Sequence, residues 1–358
     1  MGTTKKFFAV LLLALFTSSL TVPSFTSAQT EQIRPLSQYD IRDIEGHWAE
    51  STLQNFVYSD ALSGYIGDNG VITIQPNHPI TRAELVTFLV RTMGLQSDLP
   101  GETYRDVPAN QWYAEPIRIA SALGVVSGVG DGLFQPNRLI QRDEIAALVI
   151  KAFEKSVNFS GEPKHFSDVS AYWATPYIDK ASSAGLIGGY GNGQFKPYAT
   201  ATRAEAFTMV SNALNREFTS LPSDQRLTDV VLNQEKDSLT MLQRKDFSRV
   251  SELTSKYCTG FYSSFVQAAS AVFEQMDANG YSFDVIPSGQ PIATIVRKTD
   301  RFAAVQLKER YDLIVRKDGE QERETRNSTS LMLLKKMPGE DSWKIYMAVP
   351  QEETAGVP

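Results

Sequence analysis

Apolar residues along the first two thirds of the chain recur at helical spacing, and they do so in three rounds. Trp173, Tyr177, Ile178, Ala181 and Ala184 fall on one face of a helix. The pattern predicts first helices over 48–59, 112–123 and 173–184, followed by second helices over 82–93, 142–153 and 203–214. Gly124 and Gly185 end two of the first helices, where a left-handed residue stops the turn, and Asp60 takes that place in the other. Beyond residue 214 the rhythm changes. Leu239, Leu242, Val250 and Leu253 predict helix across 227–255, broken near Asp246, and a further helix runs over 261–276. From Ile292 onward the chain alternates. Val305, Leu307, Tyr311, Leu313 and Val315 share one strand face, with Gln306, Lys308, Arg310 and Asp312 on the other. Asp318-Gly319 and Pro338-Gly339 predict turns before a last strand at Trp343.

The three helical rounds are copies of one unit. Trp48, Trp112 and Trp173 are 64 and 61 residues apart, and Arg82, Arg142 and Arg203 are 60 and 61 apart. A fixed period of this size marks stacked supersecondary units, each unable to bury its apolar face alone. Each copy opens on an Asp-Val or Asp-Ile turn at Asp43, Asp106 or Asp168. A Gly-rich loop joins its helices, as in Gly189-Tyr190-Gly191-Asn192-Gly193-Gln194-Phe195-Lys196-Pro197. The first copy's loop, over 64–76, is four residues longer.

The ends and the charge narrow the classes. Lys5 and Lys6, an apolar run over 7–16 and Thr26-Ser27-Ala28 predict a secretory signal peptide over 1–28, too short to span a membrane. The whole chain carries 35 basic and 41 acidic residues; without the leader's two lysines the balance is 33 to 41, about −8. Such a chain is a poor general binder of nucleic acid or anionic membrane, so an anionic partner needs a local basic cluster. Cys258 is alone and reads as a small buried hydrophobe, because no His follows His165 to act as its base. No metal-ligand spacing, nucleophile elbow or phosphate loop appears, and no cofactor is expected.

The second helices begin with the candidate chemistry. Thr81-Arg82-Ala83-Glu84 and Thr202-Arg203-Ala204-Glu205 read as capping boxes, which accounts for Thr and Glu. The second copy has Gln141 and Asp143 instead, a weaker cap with an acid beside Arg142. An Arg in the first turn faces the positive end of the helix dipole, so capping alone does not explain it. Free amides with a guanidinium suit a carboxylate or phosphate. For the tryptophans, core packing is the favoured reading and sugar stacking the alternative.

These residues resemble S-layer homology domains across 40–215: the aromatic-x-Asp-Val turn, the Trp-led helix, the Gly-Tyr-x-Asp-Gly-x-Phe-x-Pro loop and the Thr-Arg-Ala-Glu start. The resemblance implies an all-α pseudo-threefold module of helical hairpins with repeats at 40–98, 103–160 and 165–219. It implies non-covalent attachment to a secondary cell-wall polymer, an anionic and pyruvylated polysaccharide lying between neighbouring repeats. The implied polymer-binding set is Arg82, Arg142, Arg203, Trp48, Trp112, Trp173, Asp43, Asp106, Asp168, Glu84, Glu144 and Glu205. Val129 stands where the family carries Tyr, and the third copy matches best. Arg203 therefore ranks first, Arg82 second and Arg142 last.

Over 222–350 the order of elements predicts a small α+β domain, helices on an antiparallel sheet, joined through a linker at 220–224 and followed by a tail at 351–358. It resembles the NTF2-like cone fold. Glu309 breaks the apolar strand face: a rim position in water is the favoured reading, a pocket carboxylate the other. The expectation is an exported cell-surface protein that displays a C-terminal ligand- or partner-binding domain. The alternative is a wall-anchored enzyme, which a C-terminal pocket with Glu309 or Asp312 buried beside a second ionisable group would favour.

Overall fold

The computed structural model describes residues 33–67 and 70–351; the predicted signal peptide and nearly all of the tail lie outside them. Three helix pairs come first: α1 (Glu50–Tyr58) with α2 (Arg82–Met93), α3 (Ala114–Ala122) with α4 (Arg142–Phe153), and α5 (Thr175–Ser183) with α6 (Arg203–Leu214). The first helices start two residues after each Trp, not at it. Asp60, Gly124 and Gly185 all have positive φ just past their ends, as predicted.

The pairs close on one another through a ring of backbone hydrogen bonds. Ile80 N–H donates to Ala201 O at 3.1 Å, Ala201 to Ile140 at 3.1 Å, and Ile140 to Ile80 at 3.0 Å. All three residues are fully buried. Around this axis the long helices, rich in Leu, Val, Ala and Phe, share one apolar core, as where Phe88 meets Phe207 with ring centroids 4.4 Å apart. The longer first loop forms a short hairpin, β1 (Tyr65–Ile66) with β2 (Ile72–Thr73).

The rest is helix followed by sheet. α7 (Asp224–Arg244) ends at Lys245 in the left-handed conformation, where a break was expected, and α8 (Val250–Tyr257) and α9 (Gly260–Ala278) follow. Strands β3 (Ser282–Pro287) and β4 (Ile292–Lys298) both pair with the long β5 (Phe302–Lys317), β4 with its first half and β3 with its second. β6 (Glu320–Lys336) and β7 (Trp343–Pro350) complete an antiparallel sheet. β3 was not foreseen: Asp284 and Pro287 break its apolar pattern. Leu227, Val231 and Met241 of α7 pack on Val305, Leu307, Met332 and Ile345.

The two parts are not joined by a free linker. Asp300 accepts from Ser220 N–H at 2.8 Å and from the Thr219 hydroxyl at 2.9 Å. Phe302, Tyr346 and Met347 join the core of the helical module, and Tyr346 donates to Asn55 Oδ1 at 2.7 Å. Gly260, at φ +56°, touches α1 so closely that a Cβ would collide with the Tyr58 carbonyl.

Candidate functional site

The site is built where one repeat meets the next. At the start of each second helix the first two amides are not free. Arg82 and Ala83 donate to Arg138 O and Pro136 O, Arg142 and Asp143 to Ala199 O and Pro197 O, and Arg203 and Ala204 to His78 O and Pro76 O. The helix starts therefore lack the open amides that the anion-site expectation required. The caps at Thr81 and Thr202 form as capping boxes. In the second copy Gln141 N–H still reaches Glu144 at 3.0 Å, and the Asp143 carboxylate takes the Glu144 N–H at 2.8 Å, the place of the Thr hydroxyl. Asp143 is buried and also accepts from the Tyr172 hydroxyl at 3.1 Å. Burial raises its pKa against those hydrogen bonds.

Each arginine leaves its own helix and lands on the following copy. Arg82 donates through Nε to Phe134 O at 3.0 Å and through Nη1 to Glu144 at 3.1 Å. Arg142 does the same with Phe195 O at 2.8 Å and Glu205 at 2.8 Å. Arg203 closes the ring with Ile74 O at 2.7 Å, the Tyr65 hydroxyl at 2.8 Å and Glu84 at 3.5 Å. Their side chains are only 7%, 4% and 5% exposed, so each is first an inter-repeat tie. Tyr190 and Tyr65 stack on Arg142 and Arg203 and donate to Glu205 and Glu84. In the first junction Val129 replaces the tyrosine, and Arg138 binds both oxygens of Glu144. Burial, with Arg138 alongside, holds the Arg82 pKa down against the pull of Glu144.

Two expectations change. The ranking of arginines assumed that a repeat's own loop completes its site, but the loop of the next repeat does. The intact third loop serves Arg142, and the altered second loop serves Arg82. The tryptophans are not core residues: Trp48, Trp112 and Trp173 are 64%, 54% and 57% exposed. Tyr172, the residue before Trp173, bonds Asp143, the residue after Arg142. Asp43, Asp106 and Asp168 brace the loops, each accepting from two backbone amides, such as Phe195 and Lys196 at 2.8 Å. The residue after each braced aromatic or Ile (Gln75, Gln135, Lys196) sits at positive φ, which the brace holds. These acids face backbone, which leaves Trp and the edges of the Arg–Glu ties as the exposed chemistry.

Glu309 is half-buried on its strand, not open to water. It lies beside Glu235 of α7, with Tyr262 and Tyr311 nearby. Burial first, then the Glu235 charge, pushes Glu309 up to about 8, and burial raises Glu235 too. Gln234, buried beside Glu235, donates to the Ser238 hydroxyl at 2.8 Å. Asp312 lies on the opposite strand face, held low by Thr325 at 2.5 Å and Arg323 at 2.6 Å. Glu235 was hidden because Glu235-Lys236-Asp237 reads as a solvated run. A cleft of about 680 Å³ opens between the two parts, lined by Lys155, Asp300, Arg301 and Lys336, but no predicted site residue borders it. Among the described residues no acidic, Cys and His group could hold a metal, and no helix is long and apolar enough to cross a membrane.

Comparison with known proteins places the helical region. The model of the S-layer homology domain matches residues 103–146 and 165–207. A cellulosome-anchoring protein of Acetivibrio thermocellus is 29% identical over 176 residues, 45% of this chain and 38% of that protein. A surface-layer 125 kDa protein of Lysinibacillus sphaericus is 28% identical over 216 residues, 59% of this chain and 17% of that protein. The chain thus spans well under half the length of the curated relatives it matches. Among solved structures, the intermembrane space region of chloroplast protein ARC6 covers 36% of this chain and 97% of its own, at 12% identity and a TM-score of 0.30, too slight a likeness to build on.

Proposed function

Because this chain is an S-layer homology domain protein, secreted and associated with the cell wall, we propose that it attaches non-covalently to an anionic wall polysaccharide through the junctions between its repeats. The first helix pair, which shares the arginine tie, the capping box and the exposed Trp, is read as one more repeat beside the two that match the family. What supports the reading is that each copy carries both a guanidinium held at a repeat junction and an indole more than half exposed. An aromatic face suits a sugar ring, and the guanidinium suits a carboxylate such as a pyruvyl ketal. The acids at Asp43, Asp106 and Asp168 serve by shaping the loops, and Glu84, Glu144 and Glu205 by holding each arginine in place. Purified protein should co-sediment with wall sacculi and lose that binding when the secondary polymer is stripped chemically. Equal binding to stripped sacculi would sink the proposal.

A second reading concerns the C-terminal part, a cone of the NTF2-like kind by its order of elements. Glu309 stands beside Glu235, and burial raises both carboxyls, which supports a ligand-binding or catalytic role for this part. Either role makes the wall module a tether for that domain. Carbon-detected NMR titration of the two carboxyls tests it. Ordinary carboxylate titration at both would remove the basis for a pocket.

A further inference from the structure

The inner face of the sheet holds a polar group that the packing leaves unused. Val305 and Leu307 of β5 pack on Leu227, Val231 and Met241 of α7. Strand alternation carries that face on through Glu309 and Tyr311, which pair with Ser328 and Arg326 of β6. Glu235 follows Val231 by one helical turn, so α7 turns it toward the same face. There Glu235 and Glu309 come together, and the charges of both bear on Tyr262 of α9 and on Tyr311.

The two acids lack a counter-charge. Arg326, opposite Tyr311, pairs with Glu324 at 2.8 Å, and no other cation offsets either glutamate among the described residues. Gln234, only 3% exposed, gives Nε2 to Ser238 at 2.8 Å and leaves Oε1 enclosed without a partner. It lies against Tyr262, the ring on which both glutamates bear. Two carboxylates and an unpaired amide oxygen are three acceptors, and a primary ammonium carries three N–H donors. Both glutamates keep part of their surface exposed, so a small cation can reach them. A divalent metal is served less well, because no three acidic, Cys or His side chains gather there among the described residues. We propose that Glu235 and Glu309 hold a ligand through its primary ammonium group, with Gln234 as third acceptor and the rings of Tyr262 and Tyr311 beside the charge. The proposal rests on the ligand-binding reading of the C-terminal part and names the class of ligand. Gln234 Oε1 is enclosed, so its amide must turn to meet the ammonium.

NMR of the full chain, labelled with carbon-13 at the glutamate carboxyls and titrated with propylammonium, tests this. 1-Propanol is the probe without charge, and tetramethylammonium the probe without N–H. Propylammonium should shift both carboxyl signals to saturation, and the other two should bind about tenfold more weakly or less, the size of one charge-assisted hydrogen bond. Glu309→Gln should weaken propylammonium binding by about tenfold, and Gln234→Leu by about threefold. The comparison of probes on the parent protein stands even where a variant fails to fold. An equal response to 1-propanol would overturn the proposal, since charge would then not be read. An equal response to tetramethylammonium would overturn it as well, because the acceptors would then count for nothing. Raised carboxyls that ignore propylammonium would reject the ammonium and leave the ligand-binding reading standing. Carboxyls that titrate in the ordinary range would instead reject that reading itself.

Discussion

An arginine in the first turn of a helix opposes the helix dipole at a cost of up to ~1 kcal/mol. Arg82, Arg142 and Arg203 accept that position because each guanidinium reaches the next repeat, where a carboxylate and a loop carbonyl hold it. Arg142→Ala should therefore cost about 3–5 kcal/mol in denaturant unfolding, since it strands Glu205 and the Phe195 carbonyl. A loss below about 1 kcal/mol would contradict the tie. Asp168→Ala removes two amide hydrogen bonds at 2.8 Å from a partly exposed site, so about 1–2 kcal/mol is expected. Loss of wall binding in an arginine variant must be judged against such stability losses, whereas an exposed Trp separates the two effects. Trp173→Ala should weaken sacculus binding with a thermal midpoint within about 2 °C of the parent. A larger drop would return this Trp to the core.

At the scale of elements, the helix pairs were legible because a repeated period fixes both spacing and partners within a copy. Which neighbour completes a site was not legible, since nothing inside one copy tells whether its arginine meets its own loop or the next. The exposed tryptophans misled for a related reason: Trp173 keeps helical spacing with Tyr177 and Ile178, yet it precedes the helix and stands off its end. On the sheet, the odd carboxylate at Glu309 was visible in the alternation, but its partner on α7 was not. That pairing predicts a pH dependence. Both carboxyl groups are raised in the fold, so their contribution to stability is present at low pH and is lost as pH rises from about 4.5 through about 8. Thermal unfolding followed across that range should show the loss, and Glu309→Gln should flatten it. An unchanged profile in the variant would place the carboxylate in water after all.

At the scale of the molecule, the wall module and the C-terminal part are packed as one body. Tyr346, Lys335 and Arg301 reach α1 and α2, and Glu217, fully enclosed, pairs with Arg301. Calorimetry of the full chain should give one cooperative transition; two well-separated ones would show that the parts are independent. Such packing would hold the displayed domain in a set orientation on the wall instead of on a flexible stalk. In the proposed mode of attachment, the wall polymer meets the protein at the repeat junctions. The four tryptophans offer a direct probe of it, because Trp48, Trp112 and Trp173 are exposed at the repeats while Trp343 is buried under the sheet. In a proton–nitrogen NMR titration with soluble wall-polymer fragments, the junction indoles should shift, with Trp343 unmoved. Binding that leaves all three junction indoles unchanged would contradict the account.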